Sequence, residues 1–566
     1  DLGVYSGTGV TDDGNGMTYN FDPATAGVGT HTITYTYTDG NGCVSSASDD
    51  VEVFPLPVVD FTAPADLCVD AGVQTGLGGG TPIQGAETGD MGVYSGTGVT
   101  DDGNGMTYSF DPAAAGVGTH TITYTYTNGN GCVDMASDNI EVLDLPTVTF
   151  TAPAELCVDA GVQTFGGGMP TGGVYSGPGV TDDGNGTTFS FDPAVAGSGT
   201  HTITYTFTDG NGCVSSDNDD VIVLALDYGD LLDPPYNTTN ANNAATHSVP
   251  TTVLLKLGTL IDTEADGNPS MLANGDGDDE DAFDPSSVMF IRGMGQNITL
   301  PVMNMTGSQA KLTVFIDWDN NGDFTGTNEM YMTDVEDMDA TATLTGVTPP
   351  AGAVINTNLA VRFRISTDAA SVMSPSGGAP DGEVEDYLIQ VMAFDYGDLA
   401  DNGAGTDEQD YETQAANGGP SHKIVTDNMG NVILKIGTTV DDELDGNQSP
   451  DADGDGGDED GFDPSAQMFV TTVSQNITIP VMNMTGSDAK LTMYVDWDND
   501  GDFEDMYSET VANNATSVTL TNVTPPLTTA LNQDIGVRFR LTTATAMDPN
   551  GPAPDGEVED YEIMVM

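Results

Sequence analysis

The chain is built from two motifs used repeatedly, one three times over residues 1–225 and another twice over residues 227–566. Full copies of the first begin Phe61-Thr62-Ala63-Pro64-Ala65-Asp66-Leu67-Cys68 and Phe150-Thr151-Ala152-Pro153-Ala154-Glu155-Leu156-Cys157. Every copy then carries Val-Tyr-Ser-Gly, Thr-Asp-Asp-Gly-Asn-Gly, Phe-Asp-Pro and Gly-Thr-His-Thr-Ile-Thr-Tyr-Thr. Asp1 aligns with Asp90, so the first copy is partial. We expect either a longer parent chain or a neighbouring chain that supplies the missing strands. Repetition at this spacing means a string of small domains: a partial repeat at 1–57, repeats at 58–146 and 147–225, and larger units at 226–393 and 394–566.

The repeats are β-structured. In Thr30-His31-Thr32-Ile33-Thr34-Tyr35-Thr36-Tyr37-Thr38, Ile33, Tyr35 and Tyr37 fall on one face and the threonines on the other. That predicts a strand with a buried aromatic face and a wetted threonine face, followed by a hairpin turn at Asp39-Gly40-Asn41-Gly42. Gly and Pro number 71 and 30, too many for a helical protein. The expected fold class is all-β: tandem immunoglobulin-like β-sandwiches followed by two β-sandwich-type modules with calcium loops. His31, His120 and His201 recur with the repeat, which suits a structural role better than a catalytic one. The Thr-Asp-Asp-Gly-Asn-Gly segments at 11–16, 100–105 and 181–186 are expected to be plain turns in preference to weak calcium sites.

The five cysteines allow two pairings. Within copies the bonds are Cys68–Cys132 and Cys157–Cys213, leaving Cys43 unpaired or intermolecular. Across linkers they are Cys43–Cys68 and Cys132–Cys157, leaving Cys213. The first is favoured, because a partner for Cys43 would fall in the missing part of copy 1, and because an early cysteine joined to a late hairpin is a familiar sandwich staple. Disulfides place the chain in an oxidising, extracytoplasmic compartment. The Phe-Asp-Pro, Gly-Thr-His-Thr-Ile-Thr-Tyr and Gly-Asn-Gly-Cys stretches resemble the immunoglobulin-like repeats of very large secreted and cell-surface proteins of the Bacteroidota, over about residues 1–225.

In the C-terminal pair, Asp317-Trp318-Asp319-Asn320-Asn321-Gly322-Asp323 returns as Asp496-Trp497-Asp498-Asn499-Asp500-Gly501-Asp502. Carboxylates or amides stand at alternate positions, then a glycine, then another carboxylate. Unit charges about 4 Å apart interact by roughly 4 kcal/mol at an effective dielectric near 20. A hard cation with six to eight oxygen ligands relieves the repulsion, and calcium is expected. The candidate ligands are Asp317, Asp319, Asn321 and Asp323, and Asp496, Asp498, Asp500 and Asp502. The pattern is half an EF-hand loop: position twelve is Asn328 or Tyr507 rather than Glu, Glu329 comes one residue late, and the flanks are strands. A second ion is considered at Asp276, Asp278 and Asp281, matched by Asp455, Asp458 and Asp460. Arg362 and Arg364, or Arg538 and Arg540, are expected to latch onto the acids of Asp-Gly-Glu-Val-Glu-Asp-Tyr at 381–387 or 555–561. The Met-Asn-Met segments at 303–305 and 482–484 are expected in the core. The paired endings resemble the bacterial domain named for Gly-Glu-Val-Glu-Asp, over about 227–566, which implies a β-rich extracellular module without known catalysis.

The formal charge of −78, with no Lys or Arg before Lys256, excludes nucleic acid as a partner. No apolar run spans a membrane. No nucleophile elbow, zinc helix or phosphate loop appears. The sequence therefore points to a non-enzymatic extracellular structural protein, a calcium-stiffened stalk, adhesin or filament subunit at a cell surface. Its expected partners are calcium, itself or neighbouring domains of a longer chain, and surface glycans. The alternative is a carbohydrate-binding accessory region of a larger secreted enzyme, stacking sugars on aromatic side chains. Trp318 and Trp497 alternate with the loop acids and are expected to face the core instead.

Overall fold

The computed structural model describes residues 2–275, 280–403, 410–427, 429–454, 457 and 459–566. Its described helices are single turns, such as Pro112–Ala115, and nearly all other regular structure is strand. Two compact units are present. One gathers Asp1–Ala154, Val162–Ala196 and Thr200–Val221, and the other Glu155–Gly161, Gly197–Gly199 and Ile222–Met566.

In the first unit, copy 2 shows the repeat complete. Met91–Ser95, Gly118–Thr127, Val133–Leu143 and Leu67–Cys68 form a four-stranded sheet, facing a three-stranded one of Gln74–Leu77, Tyr108–Phe110 and Val99–Asp101. In copy 2 the period-two pattern does what it predicts, with Ile122, Tyr124 and Tyr126 buried while the threonines between them stay partly wetted; in copy 1 Ile33 and Tyr35 are only half-buried and Tyr37 is exposed. Phe61, Tyr94 and Tyr108 complete an aromatic core. The hairpin turn closes as expected, with Gly42 N donating to Asp39 O at 2.9 Å. The Asp-Asp-Gly-Asn-Gly turns are held internally: Asn15 Oδ1 accepts from Met17 N and Thr18 N at 2.8 and 2.9 Å.

The cysteines pair otherwise than expected. Cys68 bonds Cys213, 145 residues away, and Cys43, Cys132 and Cys157 are free. Strand register gives the reason. Cys68 lies opposite Leu143, at one end of Val133–Leu143, whereas Cys132 precedes Val133 at the other. Eleven residues at a 3.3 Å rise put them about 35 Å apart, far beyond bonding reach. With Cys213 taken, Cys157 has no partner in its own copy; its Sγ lies 3.2 Å from Ser248 Oγ.

In the second unit each module packs a four-stranded sheet against a three-stranded one. The first module uses Met330–Val335, Ala310–Ile316, Leu359–Ser366 and Glu383–Ile389 over Leu255–Leu257, Gln296–Asn304 and Thr341–Val347. The second repeats it with Asp505–Val511, Ala489–Val495, Asp534–Thr542 and Glu557–Met564 over Leu434–Ile436, Gln475–Asn483 and Ser517–Val523. Trp318 and Trp497 lie wholly inside the two cores. The Met-Asn-Met segments run opposite to expectation. Asn304 is the buried residue, donating to Ser308 O and Val335 O at 2.9 and 3.0 Å, and Met305 is exposed. A buried amide that closes a turn outranks a flexible thioether for the inward position.

The arginine latch is real but narrower than the sequence suggested. Arg362 forks onto Asp386 with two bonds of 2.8 Å, and Arg538 onto Asp560 likewise. All four side chains are sealed from solvent. Arg364 and Arg540 do not meet an acid. Their Nε atoms donate to Nε2 of the buried His247 and His422, at 3.1 and 2.9 Å, and each imidazole Nδ1 donates to a backbone carbonyl, Asp381 O or Asp555 O, at 2.8 Å. The modules also meet: Arg292 pairs with Asp442 at 2.7 Å, and Asn356 Nδ2 donates to the carbonyl of Ile424, which is buried in the first module's core.

Candidate ion-binding loops

The loop after Ala310–Ile316 is shaped by one buried carboxylate. Asp317 has no solvent exposure. It accepts from Tyr236 Oη at 2.5 Å, Asn321 N at 3.1 Å and Gly322 N at 2.9 Å. Those bonds wrap the chain around it, and Gly322, at φ +90°, makes the turn. The loop returns to Glu329, whose backbone carbonyl accepts from Ile316 N at 2.9 Å. Its side chain is 2% exposed and accepts from Trp318 N at 3.2 Å and from Gly326 N. Asp317, Asp319 and Glu329 each offer one oxygen, all within 4.8 Å of one another.

The second loop is shorter and closes differently. Asp496, also without exposure, accepts from Tyr411 Oη at 3.0 Å, Asp500 N at 3.2 Å and Gly501 N at 2.9 Å. Here Asp496, Asp498, Asp500 and Glu504 converge within the same 4.8 Å. Four acids share one small volume. Burial raises Asp317, Glu329 and Asp496, with the Asp319 and Asp317 charges adding to the effect at Glu329. Lost solvation, then the Asp498 and Asp496 carboxylates beside it, pushes Glu504 up to about 8.

The expected ligands thus divide. Asp317 and Asp319, and Asp496, Asp498 and Asp500, are brought together. Asp323 and Asp502 stand outside the clusters. Asp323 spends its carboxylate on Thr325, accepting from N at 2.8 Å and Oγ1 at 2.6 Å, and these bonds hold it below its ordinary value. Asn321 Oδ1 accepts from Asp323 N at 2.8 Å and so supports the turn. Glu504 is the member that motif spacing missed, and Glu329, one residue late for the twelfth position, joins its cluster nonetheless. Glu329 and Glu504 lie 12 and 8 residues after the buried aspartate, so no single pattern finds both.

Of the second proposed set, Asp276, Asp278, Asp455 and Asp458 lie outside the described residues. Asp281 and Asp460 act as turn anchors: each accepts from a threonine amide, Thr259 N at 2.7 Å and Thr438 N at 2.5 Å, and from the same threonine's hydroxyl. Against the burial that raises it, bonds from Thr438 and Thr439 hold Asp460 low.

A different pair of clusters went unnoticed in the sequence. Asp227, Asp262 and Glu264 converge, as do Asp395, Asp441 and Glu443. The opening aspartate of each module accepts from the valine amide of Gly-Glu-Val-Glu-Asp, Val384 N at 2.7 Å or Val558 N at 2.6 Å. Glu264 and Glu443 accept from the amide of the tyrosine that follows each opening aspartate, Tyr228 N or Tyr396 N, at 3.2 and 3.1 Å. These residues stand at matching landmarks, Asp-Tyr-Gly-Asp and the acidic run that follows some 35 to 46 residues later. The repetition was the available signal; only the fold shows that the two stretches meet.

The GEVED domain family profile matches residues 311–390 and 490–564. No curated protein matches the chain. Among solved structures, a tetra-tandem repeat from the extending region of a large adhesion protein aligns at 12% identity, covering 94% of this chain and 95% of that one, with a TM-score of 0.20. A calcium-stabilised adhesin by which an Antarctic bacterium binds ice aligns at 12% identity over the whole of both chains, TM-score 0.18. A Bacteroides ovatus protein of a mixed-linkage glucan utilization locus, solved in complex with a mixed-linkage heptasaccharide, aligns at 10% identity, covering 83% of this chain and 92% of that one, with a TM-score of 0.12.

Proposed function

We propose that the protein is a non-enzymatic extracellular structural chain whose C-terminal modules are consolidated by calcium. The observation that carries the reading is the convergence of Asp496, Asp498, Asp500 and Glu504 around a carboxylate with no solvent exposure, echoed by Asp317, Asp319 and Glu329. Clustered acids beside a buried one are costly unless a cation compensates them. Carboxylate oxygens are the ligand type calcium prefers. Calcium would be held by these side chains and would supply the charge that the loops lack. The Asp227 and Asp395 clusters are the next candidates, because they join each module's opening strand to its closing one. Repeated β-domains, a disulfide that joins two copies and an acidic surface suit a cell-surface stalk or adhesin.

Thermal unfolding of the full chain with millimolar calcium and then with chelator tests this, together with calorimetric titration. Binding at 100 times Kd stabilises a site by about 2.7 kcal/mol. The expected result is an upward melting shift that is lost in Asp317→Ala plus Asp496→Ala. An unchanged melt with no heat of binding would make these loops solvated turns.

A further inference from the structure

The opening stretch of the first module, residues 231–243, covers part of the outer face of its four-stranded sheet. Along Ala310–Ile316 the inner positions Leu312, Val314 and Ile316 belong to the module's main core, while Phe315 points the other way. There it packs in a small core of its own with Ala360 of the sheet, Leu231 and Tyr236 of the opening stretch, Ala273, and Phe324 of the ion loop. The stretch contains no strand, so it is held down by side-chain fastenings rather than by a ladder.

One fastening needs no ion. Leu231 N donates to Asp386 Oδ2 at 2.9 Å, and Arg362 donates to Asn237 O at 3.1 Å and to Thr238 Oγ1 at 3.2 Å. This is the buried arginine latch.

The other fastening is the ion loop itself. Tyr236 Oη donates to Asp317 Oδ2 at 2.5 Å. Its ring centroid lies 5.2 Å from that of Phe324, which lies 5.9 Å from that of Phe315. Phe324 stands between Asp319 and Glu329 in the chain, so its place depends on how the loop closes. Pro235 comes so near that a Cβ on Gly322 would stand 2.7 Å from the Pro235 Cβ. The second module repeats the arrangement: Tyr411 Oη donates to Asp496 Oδ2 at 3.0 Å, its ring stacks on Phe503 at 5.3 Å, and both pack with Leu399 and Ala452.

A cation among Asp317, Asp319 and Glu329 removes the repulsion that opposes closure of the loop. Closure sets the Asp317 carboxylate and the Phe324 ring where Tyr236 meets both. A docked Tyr236 favours the same closed loop, and such a coupling is necessarily reciprocal.

We propose that residues 231–243 form a strap whose docking is coupled to ion occupancy of the loop, with Tyr236, and Tyr411 in the second module, as the residue that couples them. This rests on the calcium reading and adds a moving part to it: emptying the loop loosens the strap and uncovers Phe315 and Ala360.

Hydrogen exchange of the full chain with calcium and then with chelator tests this. The amides of Leu231, Tyr236, Thr239 and Asn242 are hydrogen-bonded in the docked strap. They should exchange about fivefold or more slowly with calcium bound. Thr341–Val347, a strand of the opposite sheet, serves as the reference, and its protection should change less, because the strap opens locally. Two variants in an Asp496→Ala background then probe the link. Tyr236→Phe keeps the ring and removes the hydroxyl, and Phe324→Ala keeps every acid and removes the ring; melting in chelator checks that each folds. Each should weaken calorimetric calcium binding and shrink the calcium-dependent protection of the strap by matching factors. Heat of binding with unchanged strap exchange, equal gains in strap and reference, or a calcium affinity unmoved by both variants overturns the coupling and leaves the calcium reading standing. Absence of any heat of binding overturns both.

Discussion

Single side chains carry weight in the second unit because four of its cations, Arg362, Arg364, Arg538 and Arg540, are buried. Arg538 and Asp560 are both without exposure and bonded twice. Removing one partner strands the other charge in the core, at a cost of about 3–5 kcal/mol. Arg538→Met should therefore destabilise the second module by that amount. Trp497 fluorescence during denaturant unfolding, read in a Trp318→Phe background, measures it. His422 adds a pH dependence. Burial, then the Arg540 charge beside it, holds its proton affinity well below the usual imidazole value. The unfolded imidazole takes a proton as pH falls through about 6.5 and the folded one does not. Stability is thus present above that pH and lost below it, by up to about 1.4 kcal/mol per pH unit. His422→Gln should remove one proton from that slope, measured in the same background.

At the scale of the element, the two ion loops differ in how they close, and this separates what the sequence disclosed from what it hid. Strand faces were legible, since a period of two needs only neighbours: Ile122, Tyr124 and Tyr126 are buried as the alternation demands. The buried aspartates were legible too, as first members of a dense motif. Glu504 was not, because a ligand set is completed wherever the loop happens to return. The cysteines misled for a related reason. Repetition fixes which residues are equivalent but not which copy supplies the partner, and only the parallel register of Leu67–Cys68 against Val142 and Leu143 shows that Cys68 points away from its own hairpin. The closing strand offers a further test. A Cβ on Gly556, at φ +96°, would stand 1.7 Å from the Leu541 carbonyl. Gly556→Ala should lower the second module's melting temperature by several degrees and leave copies 1–3 unchanged, as near-ultraviolet circular dichroism of their tyrosines would show.

Over the whole molecule, charge and covalent linkage are unevenly shared. No Lys or Arg precedes Lys256, whereas the C-terminal modules hold all ten. Among the described residues the clustered carboxylates also lie in the second unit. Calcium at fixed ionic strength should therefore raise the melting of that unit and barely move the copies of the first, a contrast that differential scanning calorimetry resolves. Reduction should do the reverse. A loop of 145 residues closed by a disulfide is worth about 4–5 kcal/mol in the chain-entropy view, so Cys68→Ser or added reductant should lower the melting of copies 2 and 3 alone.

The same bond sets how far the chain gives way under tension. Pulled from its ends, a chain without cross-links surrenders its full contour length as each domain unravels. Here the 145 residues between Cys68 and Cys213 lie inside a closed loop. That withholds about 480 Å of extension at 3.3 Å per residue. In a single-molecule pulling record, copies 2 and 3 should yield short while oxidised and release the withheld length when a reductant is added.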